Sequence, residues 1–290
     1  QYLLSSIKDC RSWKIIEVEH SSPSGFEIQY KEYVKSIPCW DIYHRFKSWF
    51  YYQKSLSNEK RNRRFIYGIC DKYVMLAEGL ISQCQKYGHI DDNSKFEIIG
   101  NPISMDNSSA TLSLKKKECL FVGRLDSMKG IDKLMRIWAI VESRVKDWTL
   151  VIVGDGIMMP EVKNAIAHYR LEHVCLEGFQ ADVKRYYQTA SIFCMCSIYE
   201  GFPMVLPEAM GFGVVPIVFN SFAALDDILV DGEDGVKVTA FDEEAYSENL
   251  IAMISDDVRL KMMQSKALEN SRKFCVSSIL EKWDELFKNL

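Results

Sequence analysis

The chain has 290 residues, a length that at roughly 150 residues per domain predicts two domains sharing one interface and excludes a small disulfide-stapled scaffold. Hydrophobic residues make up 48%, aromatic residues 12% and charged residues 26%, which is enough apolar material for two cores and excludes disorder over most of the chain. With 36 basic against 40 acidic side chains the formal charge is -4, so the chain as a whole is no nucleic-acid binder and any basic surface must be local.

In chain order, the sequence opens on Gln-Tyr-Leu-Leu, without an initiator Met or a signal-peptide pattern, and this predicts that the natural N-terminus lies upstream. KIIEVEH (14–20) and KYVMLA (72–77) are predicted strands. Only two or three strands can be found in the first hundred residues, whereas a free-standing doubly wound domain usually needs five or six, so this half reads as an α/β unit incomplete at its N-terminus. Between these strands, residues 41–64 carry seven Lys or Arg against Asp41 and Glu59, a net charge of +5, interleaved with Phe46, Trp49, Phe50, Tyr51 and Tyr52. Such a segment can make peripheral contact with an anionic membrane, each basic residue adding about 1 kcal/mol near the surface. The competing reading is a solvated helix whose aromatics pack inward.

The polar, turn-rich stretch 101–118 is the expected interdomain linker. Beyond it, CLFVG (119–123), TLVIVG (149–154), VCLEG (174–178), SIFCMC (191–196) and VPIVF (215–219) are predicted strands separated by amphipathic stretches, the pattern of βαβ units building a parallel, doubly wound sheet. Ile131, Leu134, Ile137, Trp138, Val141 and Val145 recur at three- and four-residue spacing and mark one buried helical face. Residues 277–290 again have helical spacing. The most apolar run, 202–225, is broken by Pro203, Pro207, Glu208, Pro216 and Asn220 and cannot span a bilayer as a helix. Nine cysteines without a Cys-x-x-Cys pair predict free thiols in a reducing compartment, the cytoplasm by default.

Three stretches carry chemistry. In FVGRLDSMKG (121–130) a strand ends at Gly123 and presents Arg124 and Lys129, a forked donor and a point charge suited to a diphosphate; a solvated turn is the competing reading. In IVGDGIM (152–158), Gly154, Asp155 and Gly156 follow a strand and fit either close approach to a nucleotide or a simple tight turn. SIYEGFPMVLPEAMGFG (197–213) predicts a helix beginning near Met204, with the amides of Gly201 to Val205 forming an anion site, and with Glu200 and Glu208 as acceptors for sugar and ribose hydroxyls. Against this, Glu208 can simply support its helix surface. The histidines at 20, 44, 89, 168 and 173 show no metal-ligand spacing, no aspartate pair imitates a metal motif, and neither a Gly-x-Ser-x-Gly nor a P-loop occurs.

The series Phe-Val-Gly-Arg-Leu-x3-Lys-Gly, Val-Gly-Asp-Gly, Glu-Gly-Phe and Glu-x7-Glu, in this order inside βαβ units, resembles the family 4 retaining glycosyltransferases of GT-B fold over about residues 118–255. The resemblance implies two Rossmann-like doubly wound domains: a partial, acceptor-side N-terminal domain (1–106), onto which 275–290 crosses back, and a donor-binding domain (107–274). It implies that Arg124 and Lys129 bind the donor diphosphate, that Glu200 contacts the transferred sugar and Glu208 the ribose, and that the backbone from Gly201 through Phe202 and Pro203 to Met204 holds phosphate and sugar. Gly123, Gly154, Asp155 and Val205 complete the expected donor site. KIIEVEHSSP (14–23) resembles the family's strand that ends in a histidine facing the donor sugar, which would be His20. Two departures stand out. The Gly-rich loop that lies near the acceptor has no counterpart upstream of residue 14, and GFGVVPIV carries an extra Val before Pro216.

The implied activity is retaining, metal-independent transfer of a sugar from a nucleotide diphosphate, a UDP-sugar, to a hydroxyl of a glycan or lipid-linked oligosaccharide. Glu200, His20, Arg124 and Lys129 are the implied catalytic residues, with no cofactor. A UDP-sugar epimerase of the same fold, which the Glu-x7-Glu series fits less well, and a donor-binding module inactive as this chain are the alternatives.

Overall fold

Each apolar run predicted between 118 and 219 forms a strand in the structure, a computed structural model that describes residues 14–290. Residues 1–13, with Cys10 and the opening Gln-Tyr-Leu-Leu, lie outside the described residues. The chain divides into two units: the first comprises the described residues up to Asn101 with Glu200–Phe202 and Ile279–Leu290, the second Pro102–Tyr199 and Pro203–Ser278.

In the first unit the elements are β1 (Ile16–Glu19), α1 (Gly25–Ser36), α2 (Ile42–Ile69), β2 (Lys72–Met75), α3 (Glu78–Gly88) and β3 (Phe96–Ile98). The three strands pair in parallel in the order β1-β2-β3, with Val18 opposite Val74 and Met75 opposite Ile98. The central strand β2 is buried from Tyr73 to Met75, whereas the edge strands β1 and β3 are only half-buried or, at Ile98, exposed. The second unit contains β4 (Glu118–Val122), α4 (Ile131–Arg144), β5 (Thr149–Val153), α5 (Met159–Tyr169), β6 (Val174–Gly178) and α6 (Lys184–Thr189). It continues with β7 (Ile192–Met195), α7 (Val205–Gly211), β8 (Val215–Asn220), α8 (Leu225–Ile228), β9 (Val236–Thr239), α9 (Glu243–Ser255) and α10 (Asp257–Asn270). The last helix, α11 (Val276–Lys288), buries Ile279 and Leu286 with Val74 and Ile99 of the first unit.

The second sheet is parallel throughout, in the order β6-β5-β4-β7-β8-β9. Its core takes the predicted face of α4, with Ile131, Leu134, Ile137, Trp138 and Val141 fully buried, while Val145 lies just past the helix end and is only partly buried. Tyr246 of α9 ties two strands together: its hydroxyl donates to the Ile217 carbonyl (2.7 Å) and accepts the Met195 amide (3.0 Å).

Two features differ from the sequence reading. The edge strands β3 and β9 are absent from it, because Phe-Glu-Ile and Val-Lys-Val-Thr are too short and too polar to show an apolar run. The expected linker is no free tether from Pro102 onward, since the Ile103 amide donates to the Phe274 carbonyl (2.8 Å) and the Lys116 amide to the Thr189 carbonyl (2.7 Å). The eight described cysteines are all free thiols, and no described helix is long and apolar enough to cross a membrane.

Candidate functional site

In the second sheet the chain proceeds outward from β4 through β5 to β6, then returns to the other side of β4 to lay down β7. Strand order therefore reverses between β4 and β7, and the loops leaving the carboxyl ends of those two strands diverge there, opening the crevice where α/β sheets bind ligands. The loop after β4 carries Gly123, Arg124 and Lys129; the loop after β7 leads to α7 and Glu208.

Backbone contacts hold these loops together. The Gly123 amide donates to the Val153 carbonyl (3.0 Å), the Leu125 amide to the Asp155 carbonyl (2.9 Å) and the Ile198 amide to the Met128 carbonyl (2.8 Å). Gly154 (φ +143°) packs so closely that a Cβ there would lie 1.9 Å from the Gly123 carbonyl oxygen. Gly130, left-handed at φ +67°, would bring a Cβ within 2.0 Å of the Cys196 carbonyl. Only glycine fits either position. The tight-turn reading of Gly154 is thus a packing requirement that brings the β5 loop against the β4 loop. The Asp155 side chain itself is exposed and accepts the neighbouring Gly156 amide (2.7 Å).

Arg124 is exposed, its guanidinium 3.2 Å from Asp126. Asp126 also caps the 3-10 turn Ser127–Lys129, accepting the Lys129 amide at 2.9 Å, so one carboxylate orients both cation-bearing positions. Sequence reading overlooked Asp126, although Asp is among the residues preferred at an N-cap.

The helix expected near Met204 is α7, with Met204 at its N-cap and no side-chain cap. Pro203 is buried, and Met204 and Val205 are half-buried at the helix start. Glu208, in the first turn, is half-buried, and burial raises its carboxyl above the ordinary range. The hydroxyl of Tyr187, a fully buried residue of α6, donates to Glu208 Oε2 at 3.4 Å. Burial pushes the Tyr187 phenol well above its ordinary value, so it remains a neutral donor. Nothing in the sequence around Tyr187 marks this contact, which depends on how α6 and α7 pack.

The remaining sequence-predicted residues, His20 and Glu200–Phe202, group with the first unit. His20 is exposed just beyond β1. Its neighbour Glu19 is anchored by the Arg63 guanidinium (2.9 Å) and the Tyr73 hydroxyl (2.6 Å); burial opposes its ionisation, but these partners outweigh it and hold the carboxyl below the usual range. On the other side of His20, the hydroxyls of Ser22 and Ser24 both donate to Gln83 Oε1, at 2.8 and 3.0 Å. The histidine thus sits between two fixed points. Gly201 lies against the same backbone, where a Cβ would meet the His20 carbonyl and the Ser22 nitrogen at 3.1 Å, and Phe202 is buried. Glu200 is half-buried. Among the described residues no group of three His, Cys, Asp or Glu side chains is placed to hold a metal ion.

The sheet order, the loop set and the motif series define a GT-B glycosyltransferase fold. The family model for glycosyl transferases group 1 matches residues 105–274, and the chain belongs to that family. It is 30% identical over 215 residues to an uncharacterized glycosyltransferase of Haemophilus influenzae, covering 74% of this chain and 60% of that protein. Over 227 residues it is 27% identical to a Campylobacter jejuni alpha-1,4-N-acetyl-D-galactosaminyltransferase whose named acceptor is a diphospho-undecaprenol-linked saccharide, covering 77% of this chain and 62% of that one. The crystal structure of Anabaena HepE in complex with UDP superposes with a TM-score of 0.75 at 17% identity, over 96% of this chain and 72% of that chain. The chain spans about three fifths of the length of these two curated relatives.

Proposed function

We propose that the protein transfers a sugar, with retention of configuration, from a UDP-sugar to a hydroxyl of a glycan or lipid-linked oligosaccharide in polysaccharide or glycoconjugate biosynthesis. The observation that carries the reading is the strand-order reversal between β4 and β7, at which Arg124, Lys129 and the start of α7 leave the same sheet edge. Membership of the glycosyltransferase family, the UDP complex of a structural neighbour and the saccharide-lipid acceptor named for a relative support it.

In this reading the bond between the anomeric carbon and the diphosphate oxygen breaks while a bond to the acceptor oxygen forms, and the acceptor proton passes to the departing diphosphate. Negative charge grows on the diphosphate as its bond lengthens. Arg124, Lys129 and the leading amides of α7 offset that charge, the role a metal plays elsewhere, so the reaction needs none. Asp126 keeps the two cations in register. Glu200 accepts from hydroxyls of the transferred sugar, Glu208 from the ribose hydroxyls, and His20 faces the sugar.

Calorimetric titration with UDP, UDP-glucose, UDP-N-acetylglucosamine and GDP tests this directly. Binding of UDP and of one UDP-sugar, weakened in Arg124→Ala and Glu208→Ala, is the expected outcome. Affinity left intact in both variants, or no nucleotide bound at all, would remove the donor site from consideration.

A further inference from the structure

The long helix α2 presents to solvent a surface that the donor reading leaves unexplained. Its 28 residues extend about 42 Å, and its buried residues lie on the side that packs on the first unit. On that side Tyr52 stacks on Tyr30 with ring centroids 4.2 Å apart, Arg63 is buried against Glu19, and Tyr67 and Ile69 are buried. The reading in which the aromatics of 41–64 pack inward holds for Tyr52 alone: Phe46 is 64% exposed, Phe50 58%, Tyr51 57% and Trp49 46%, and the flanking Trp40 and Ile42 are 78% and 75% exposed.

The exposed groups are ordered along the helix. Ile42, Phe46, Trp49, Gln53, Ser57, the half-buried Lys60 and Arg64, whose Nε donates to the His89 carbonyl (3.2 Å), follow one another at three- and four-residue spacing and share a face, with Tyr43, Phe50, Lys54 and Arg61 on the adjoining row. Apolar rings occupy the first half of this face and cations the second, about 15 Å further along. Neither carboxylate of the segment lies on it. Asp41 caps the helix and holds His44, and Glu59 is paired with Arg63 on the packed side. A contiguous aromatic patch bordered by unopposed cations matches an anionic lipid surface, where rings settle at the headgroup level and Lys and Arg meet the phosphates. A second copy of the chain is a poor occupant, because a two-fold contact would set this positive face against itself.

We propose that the outward face of α2 is a docking surface for an anionic bilayer. Phe46, Trp49 and Phe50 enter the headgroup region, and Lys54, Lys60, Arg61 and Arg64 bind its phosphates. The surface lies on a different unit from Arg124 and Lys129, so it stands or falls separately from the donor reading.

Sedimentation with phosphatidylcholine vesicles, with and without phosphatidylglycerol, provides the test. Binding is expected only to the anionic vesicles and is expected to fall as salt rises. The triple variant Lys60→Gln, Arg61→Gln, Arg64→Gln should bind roughly a hundredfold more weakly, from about 1 kcal/mol per cation. The double variant Phe46→Ser, Trp49→Ser should also lose binding while keeping the wild-type circular dichroism spectrum and UDP titration, since both rings are exposed. Should the double variant misfold, the charge variant alone decides. The proposal is overturned by failure to bind anionic vesicles, by equal binding to neutral ones, by binding unchanged in the triple variant, or by a self-association that the aromatic substitutions abolish.

Discussion

Replacing Gly154 with alanine is expected to damage the donor side severely, and two other glycines calibrate the effect. At Gly154 the new Cβ would stand 1.9 Å from the Gly123 carbonyl oxygen, with φ at +143°. Strain of that backbone conformation costs about 1–3 kcal/mol. Relieving the clash requires the β4 and β5 loops to separate by more than 1 Å or so, which breaks the Gly123–Val153 and Leu125–Asp155 hydrogen bonds at about 1 kcal/mol each. The expected total is about 3–5 kcal/mol. Gly178, in the same unit, has φ +66° but nothing within 4 Å of where a methyl would stand, so Gly178→Ala should cost only the left-handed strain of about 1–2 kcal/mol. Gly68 lies within α2 in open space with ordinary backbone angles, and Gly68→Ala should stabilise by about 0.5–1 kcal/mol. Urea titrations followed by tryptophan fluorescence and far-UV circular dichroism would rank the three. A Gly154→Ala variant no less stable than Gly178→Ala would refute the close approach of the two loops. UDP affinity should also fall in Gly154→Ala, because Arg124 and Lys129 ride on the loop that moves.

Two titrating residues give further predictions. Burial raises the Glu208 carboxyl, so the fold disfavours its charged form, and whatever stability this residue lends at low pH is lost as pH rises through its folded value. Glu208→Gln should therefore be somewhat more stable than wild type near neutral pH, yet bind UDP about 10- to 100-fold more weakly through loss of a charged acceptor, as read by thermal melting and calorimetry. Lys115, whose ammonium donates to the Tyr187 carbonyl at 2.7 Å, is pushed down by burial to about 7 from 10.5. Between those values the unfolded chain holds a proton that the folded chain does not, so stability rises with pH across that window and the burial penalty is complete below it. Lys115→Met should accordingly raise the melting temperature at about pH 6 and lose that advantage by about pH 10. An equal gain at both would place the lysine in solvent.

Elements whose signal is local could be read from the residues alone. A strand buried on both faces must be apolar along its length, and a helix with one face in the core must repeat at three to four residues, so β4, β5, β7, β8 and α4 were legible without coordinates. The motif series was legible too, since Gly123, Arg124, Lys129, Glu200 and Glu208 follow their strands at fixed offsets. Packing settled what depends on segments far apart in the chain. It set the strand order that brings the β4 and β7 loops to one edge, the close approach that makes Gly154 obligatory, and the contact from Tyr187 to Glu208 across 21 positions. It also set which side of α2 faces water. Aromatic and basic residues surround most of that helix, so periodicity could not assign its buried face; the stacking of Tyr52 on Tyr30 and the pairing of buried Arg63 with Glu19 did.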